Sequence, residues 1–407
     1  MSLRDTAWRF VDGARAIDVA LTRRSDARSV LVDSRTSMNY VMAAPVQAAL
    51  ARDPRIRFYA TSTDAALSLE DIYRDALPAT TLIRPAAAAL MRFDAYLTSD
   101  LLWARLPRGT RRIQMFHGVS GKYSHDYDSP TSSMRRWHRL FFVNQRRMQN
   151  FINAGAIDAA SEAPRLVGMP KVDCLVDGSL KRNDILGGLG MDPAKPTILY
   201  APTWSAASSL NIMGIDLIGG LLQRDWNVIV KLHDRSRDPR PFYSGGIDWV
   251  EHIKTVMAGR SGHLVNDANI CPYLAAADAM ISDHSSAAFE YLLLDRPLVR
   301  IHVPELLKSS NSNEEYVRLL ADASESVETA PAAIDAVERG LASPRARSGS
   351  RRSVADDLFY RAGTATSRAV HEIYELLELD PVALPAVAAR PEPALPTAAF
   401  NHSRDAL

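Results

Sequence analysis

Four short segments of this 407-residue chain place hydroxyl, imidazole and ammonium groups where apolar runs end. In Ala279-Met-Ile-Ser-Asp-His-Ser-Ser286 the run stops at Ser282, and Asp283, His284, Ser285 and Ser286 precede a stretch at helical spacing. Hydroxyls and free backbone N–H groups at a helix start, with the positive end of the helix dipole, suit a phosphate. The plainer reading is that Asp283 or Ser285 only caps the helix. Its place at the carboxyl end of a predicted parallel strand favours a ligand. Val228-Ile-Val-Lys-Leu-His233-Asp-Arg235 also ends in cations, Lys231, His233 and Arg235. His233 could donate to a diphosphate there, or could simply be satisfied by local backbone.

The third segment is Arg112-Ile-Gln-Met-Phe-His117-Gly-Val-Ser-Gly-Lys122. Its run stops at His117, and Gly118 and Gly121 let the following loop bring its backbone close to a ligand. Histidine ordinarily titrates near neutrality, so an imidazole here can accept a hydroxyl proton. The fourth, Tyr200-Ala-Pro-Thr-Trp204, follows a strand and is open to ligand or to interdomain contact; Trp204 reads as packing.

These segments need strands to hold them. β-branched or apolar runs occur at Ser29–Val32, Ile56–Ala60, Ala95–Leu97, Arg112–Phe116, Leu140–Val143 and Arg165–Val167, with helices expected at Thr6–Leu21 and Asn144–Ala154. Asp177 to Lys195 is polar and Gly-rich and suits a linker. Alternation restarts with strands at Thr197–Tyr200, Asn227–Leu232, His263–Val265, Ala279–Ser282 and Leu298–Ile301. The helices between them are expected at Leu210–Gln223, His252–Met257, Ile270–Ala276 and Ser285–Leu294. Strands alternating with helices imply α/β domains with parallel sheets covered on both faces. Two such halves predict two Rossmann-like domains facing a cleft, the GT-B arrangement. The boundaries are 1–178, 179–380 and a Pro/Ala-rich tail, 381–407, of disordered composition.

Composition narrows the classes further. Hydrophobic residues make up 47% and charged residues 23%, which excludes wholesale disorder. A formal net charge of +1 gives no global reason to bind nucleic acid. Cys174 and Cys271 are too few for a disulfide framework or a Cys-rich zinc site. No leader pattern and no spanning run of about 18 apolar residues is visible, which points to a cytoplasmic protein. A mixed cationic and aromatic patch, Ser133-Met-Arg-Arg-Trp-His-Arg-Leu-Phe-Phe142, followed by Arg146 and Arg147, could meet anionic lipid or a polyanionic acceptor. A buried strand flanked by solvated arginines explains it as well, and Arg345–Arg352 reads as a solvated loop.

Taken in order, Gln114-Met-Phe-His-Gly118, Gly168-Met-Pro-Lys-Val-Asp173, Leu199-Tyr-Ala-Pro-Thr-Trp204, Val230-Lys-Leu-His233 and Ser282-Asp-His-Ser-Ser286 resemble the CDP-glycerol glycerophosphotransferase family of teichoic-acid primases and polymerases. The match runs from about Arg111 to Ile301. The chain departs from the family pattern with Asp234 in place of Pro, His284 in place of Tyr and Lys171 in place of Arg.

The resemblance implies a phosphotransfer. An acceptor hydroxyl attacks the glycerol-bearing phosphorus of CDP-glycerol, or of a related CDP-polyol, and CMP leaves. By the same resemblance His117 is the general base. His233 with Ser285 and Ser286 holds the diphosphate and stabilises charge on the leaving phosphate, beside Lys231 and Gly118. Thr203, Asp283 and Glu290 are the candidates for the nucleotide; Glu290 could reach a ribose hydroxyl, though a plain helix-face carboxylate is the default reading. No metal and no cofactor are expected. The acceptor implied is a polymer or lipid-linked alcohol of the cell surface, met at the inner face of the membrane with peripheral contact allowed. The competing reading is a GT-B glycosyltransferase using a nucleotide sugar.

Overall fold

Apolar runs buried from both sides become central parallel strands, and two sheets of them organise this chain. The computed structural model describes residues 27–64, 67–119 and 134–382. The helix expected over Thr6–Leu21, Gly121, Ser133 and the tail beyond residue 382 lie outside the described residues.

The first sheet has seven strands: β1 (Arg28–Asp33), β2 (Ile56–Thr61), β3 (Thr81–Leu82), β4 (Ala95–Thr98), β5 (Arg111–Met115), β6 (Arg139–Phe142) and β7 (Pro164–Leu166), in the order β3-β2-β1-β4-β5-β6-β7. The second has six: β8 (Thr197–Tyr200), β9 (Asn227–Lys231), β10 (Gly262–Val265), β11 (Ala279–Ser282), β12 (Leu298–Ile301) and β13 (Glu325–Val327), in the order β10-β9-β8-β11-β12-β13. Every pairing is parallel. In β9, Val228, Ile229 and Val230 are all fully buried, as a strand covered on both faces requires. Strand order reverses beside β1 in one sheet and beside β8 in the other, and open sheets bind ligands at the carboxyl ends next to such reversals.

The junction differs from the sequence reading. The stretch taken as linker contains a helix, Arg182–Gly188, packed on helix Cys271–Ala276. Leu186 is fully buried there, so apolar burial outweighs the glycines, which instead stop the helix at Gly190 (φ +66°). The chain also returns at its end. Helix Ser348–Leu358 replaces the expected Arg-rich loop, and its Arg351 is buried against Asp295 at 2.9 Å. The last helix, Ala365–Leu377, was expected in the second domain but packs on helix Ser37–Leu50 of the first. Its Glu372 takes Arg139 (2.8 Å) and Arg165 (2.9 Å), and its Tyr374 donates to Asp53 (3.1 Å). One apolar core therefore runs through the junction, from Val30 and Leu97 to Leu199, Tyr291 and Ile373. Among the described residues no helix is long and apolar enough to cross a membrane.

Candidate active site

The carboxyl ends of both sheets open onto one cleft of about 560 Å³. From the first domain it is lined by Arg35, Ser99, Asp100, His117, Gly118 and Arg147, and from the second by Thr203, Trp204, Lys231, His233, Ser286 and Glu290, among others.

The first wall is built behind β5. Phe116 packs on Phe142 and Phe151 (centroids 4.6 and 5.4 Å apart), which fixes where the strand releases His117. Gln114 accepts from Leu101 N–H (2.9 Å), and Ser99 donates its hydroxyl to Asn39 O (2.8 Å), so the loop after β4 is held from two sides. That loop presents the Ser99 carbonyl to Nδ1 of His117. A carbonyl only accepts, so Nδ1 carries a proton and Nε2 of the neutral ring keeps its lone pair. Asp100 stands 4.0 Å from that Nε2 and pairs with Arg35 at 3.1 Å.

The second wall gives its imidazole the opposite arrangement. His233 caps the short helix Asp234–Arg237, and its Nδ1 accepts from Arg235 N–H at 3.1 Å. The neutral ring therefore carries its proton on Nε2 and can donate. Lys231 is buried, and that burial, with Arg237 and Lys171 nearby and Asp234 opposing, pushes its pKa down to about 8. Its ammonium donates to Leu232 O at 2.7 Å.

Ser286 begins helix Ser286–Tyr291 and faces Gly118 across the cleft. A Cβ on Gly118 would stand 3.4 Å from Ser286 Oγ. Gly118 adopts φ +68°, so the glycine suits both the turn and the close approach.

Three sequence-predicted site residues have other work. Ser285 is the helix cap: its Oγ accepts from Ala288 N–H (3.2 Å) and bonds Ser282 (2.8 Å), and it lines the cleft beside Ser286. Asp283 is wholly buried beneath the site and is not part of its lining. It accepts from Thr203 N–H (2.8 Å) and from Ser209 N–H and Oγ (3.1 and 2.9 Å), so it ties the β8 and β11 loops together. Thr203 lines the cleft on that tether. Glu290 lines the cleft and accepts from Lys171 at both oxygens (2.8 and 2.7 Å), each of which keeps a further acceptor position. Burial opposes the Lys171 charge, yet Glu290 more than offsets it and holds the lysine protonated. His284, in the family's Tyr position, is buried with its ring 5.9 Å from Phe289.

The sequence reading also missed residues. Arg35 and Asp100 pair with each other (3.1 Å) on the first wall, and Arg147 stacks on Phe116 (4.1 Å). Arg35 and Asp100 lie in loops that carry no motif. Arg147 stood within the cationic patch, whose Trp137, Phe141 and Phe142 are buried while Arg135 and Arg136 are exposed and Arg139 pairs with Glu372, a buried strand flanked by solvated arginines. No group of three or more potential metal ligands occurs among the described residues.

Two facing parallel-sheet domains with ligand-binding loops turned toward a shared cleft define the GT-B class of transferase folds. The chain belongs to the CDP-glycerol:poly(glycerophosphate) glycerophosphotransferase family, which it matches over residues 70–375. It is 25% identical over 207 residues to a teichoic acid poly(glycerol phosphate) polymerase of Staphylococcus epidermidis, covering 47% of this chain and 26% of that protein. It is also 25% identical over 230 residues to a polymerase of the same description from Bacillus spizizenii, covering 50% and 54%. The chain thus spans about a quarter and about half of these relatives' lengths. In three dimensions it is similar to the wall teichoic acid polymerase TagF (TM-score 0.65, 15% identity, 91% of this chain and 98% of that one). A Staphylococcus aureus MnaA–UDP structure also matches (TM-score 0.55, 14% identity, 87% and 98%). At these identities the structural likeness speaks for the fold.

Proposed function

We propose that this chain transfers glycerol phosphate, or a related polyol phosphate, from a CDP-activated donor to an acceptor hydroxyl and releases CMP. The observation that carries the reading is the pair of complementary imidazoles lining one cleft. His117 offers a lone pair at Nε2, and His233 offers a proton at Nε2.

In the reaction, His117 Nε2 takes the hydroxyl proton while the acceptor oxygen attacks the donor's glycerol-bearing phosphorus. The bond from that phosphorus to the bridging oxygen breaks, and the electron pair leaves with CMP. The resulting imidazolium stands 4.0 Å from Asp100. On the other wall His233 N–H, the Ser286 hydroxyl and the Lys231 ammonium line the cleft, and in this reading they stabilise the charge that develops on the leaving phosphate. Gly118 lets the first-domain backbone close over the same phosphates. The acceptor is a polymer or lipid-linked alcohol of a cell-surface chain, reached at the inner face of the membrane; family membership and the curated relatives support that choice.

A donor panel with purified protein tests the reading. CMP should appear with CDP-glycerol or another CDP-polyol, whereas UDP or CDP as the only nucleotide product would overturn it. His117→Ala should lower turnover by about 10²–10⁴-fold, the usual contribution of a general base, while leaving donor binding nearly unchanged.

A further inference from the structure

Arg235 lines the cleft two residues beyond His233 and is exposed, whereas Lys231 is buried and His233 and Ser286 are half-buried. Its guanidinium carbon stands 4.4 Å over the Trp204 ring and 5.5 Å from the Tyr243 ring centre. Trp204 and Tyr243 meet edge to face at 5.7 Å, so the platform beneath the cation is itself braced. Phe242, 74% exposed, extends the aromatic surface outward, its ring 6.0 Å from Trp204.

The charges around Arg235 are already allotted. Arg240 pairs with Asp238 (2.5 Å). Asp234, the adjacent carboxylate in the sequence, acts on Lys231 and Arg237. Among the described residues no carboxylate forms an ion pair with Arg235, although it lines the cleft beside His233. A stacked guanidinium retains its N–H donors at the rim, and its planar fork suits phosphate oxygens.

We infer that Arg235, held flat on Trp204 and Tyr243, is an acceptor-specificity residue that binds the phosphodiester next to the attacking hydroxyl. The inference rests on the phosphotransferase reading above and deepens it by naming the residue that would hold the anionic chain, a poly(glycerophosphate), that the family's description gives as acceptor. The donor's two phosphates have Ser286, Lys231 and His233 deeper in the cleft. Arg235 stands further out, where an anionic chain would enter.

The test compares two acceptors on the full chain, a short glycerol phosphate oligomer and an uncharged alkyl glycoside, in wild type and Arg235→Gln. The variant should raise KM for the oligomer about tenfold, the scale of one lost charge-assisted contact. KM for the glycoside and for the donor should change less than twofold. Arg235→Lys should recover only part of the loss, because it restores charge without the stacked plane. Equal changes for both acceptors would overturn the assignment, and so would a rise in donor KM alone or a wild-type preference for the glycoside. Equilibrium binding of the oligomer, followed by tryptophan fluorescence, keeps the inference separate from turnover. If CMP is never released but Arg235→Gln still weakens oligomer binding about tenfold, the subsite stands and the phosphotransfer reading falls. Unchanged oligomer binding overturns the subsite whatever the turnover.

Discussion

The two cleft imidazoles owe their different chemistry to the atom each meets at Nδ1. A carbonyl makes His117 an acceptor at its other nitrogen, and a backbone N–H makes His233 a donor. Lys231 adds a charge that depends on pH. Burial disfavours the ammonium and pushes its pKa down to about 8, and a bound phosphate would favour that ammonium again. The sign follows: below about 8 the lysine is charged in the free protein and donor affinity is flat. Above about 8 the donor must bring a proton with it, so affinity falls by up to about tenfold per pH unit. Calorimetric titration of the CDP-polyol from pH 6.5 to about 9.5 should show this limb, and Lys231→Gln should bind more weakly at neutral pH and lack it. A flat wild-type profile would mean Lys231 does not touch the phosphates. These residues were legible in the sequence because each follows a strand. Arg235 was legible as part of the cation cluster and Arg147 as part of the cationic patch, but the rings that the fold brings beneath them were not.

At the scale of elements, Gly168-Met-Pro-Lys-Val-Asp173, one of the segments that carry the family resemblance, anchors the returning end of the chain. Gly168 has φ +90°, and a Cβ there would stand 2.5 Å from Tyr360 O and 3.0 Å from Ala365 Cβ. Asp173 accepts from Gly363, Ala365 and Thr366 N–H (2.8, 3.1 and 2.7 Å), capping the start of the last helix. Gly168→Ala combines a left-handed backbone with a backbone collision, and should cost about 2–4 kcal/mol. Asp173→Ala removes the cap and strands three amides, at about 2–3 kcal/mol. Denaturant unfolding of each variant checks both, and a loss below about 0.5 kcal/mol would show that the segment is only a turn. Sequence could not show this because the partners lie some 190 positions away. The central strands were legible for the opposite reason: burial on both faces writes them as continuous apolar runs. Edge strands β3 and β13, of two and three residues, leave too short a signal, and Pro45 interrupts the pattern of helix Ser37–Leu50.

For the whole molecule, division of the chain at residue 178 follows the sheets but not the packing. The last helix buries Val370, Ile373, Tyr374 and Leu377 in the core shared with the first domain. At roughly 1.5–3 kcal/mol for each buried side chain, these four are worth about 6–12 kcal/mol, before the Glu372 pairs are considered. A domain is stable by only about 5–15 kcal/mol, so the first sheet without this helix has little or nothing left. The fragment 1–178 is therefore expected to lack a cooperative unfolding transition. The same fragment joined by a short linker to 345–382 should regain one, with near-UV circular dichroism reporting the buried aromatic residues. The second sheet has its own core, with Val228, Val230 and Ile281 against Leu217, Ile218 and Val337, so fragment 179–342 should unfold cooperatively alone. If 1–178 unfolds as sharply as the joined fragment, the last helix is an ornament on the first domain and the shared core does not hold the cleft walls together.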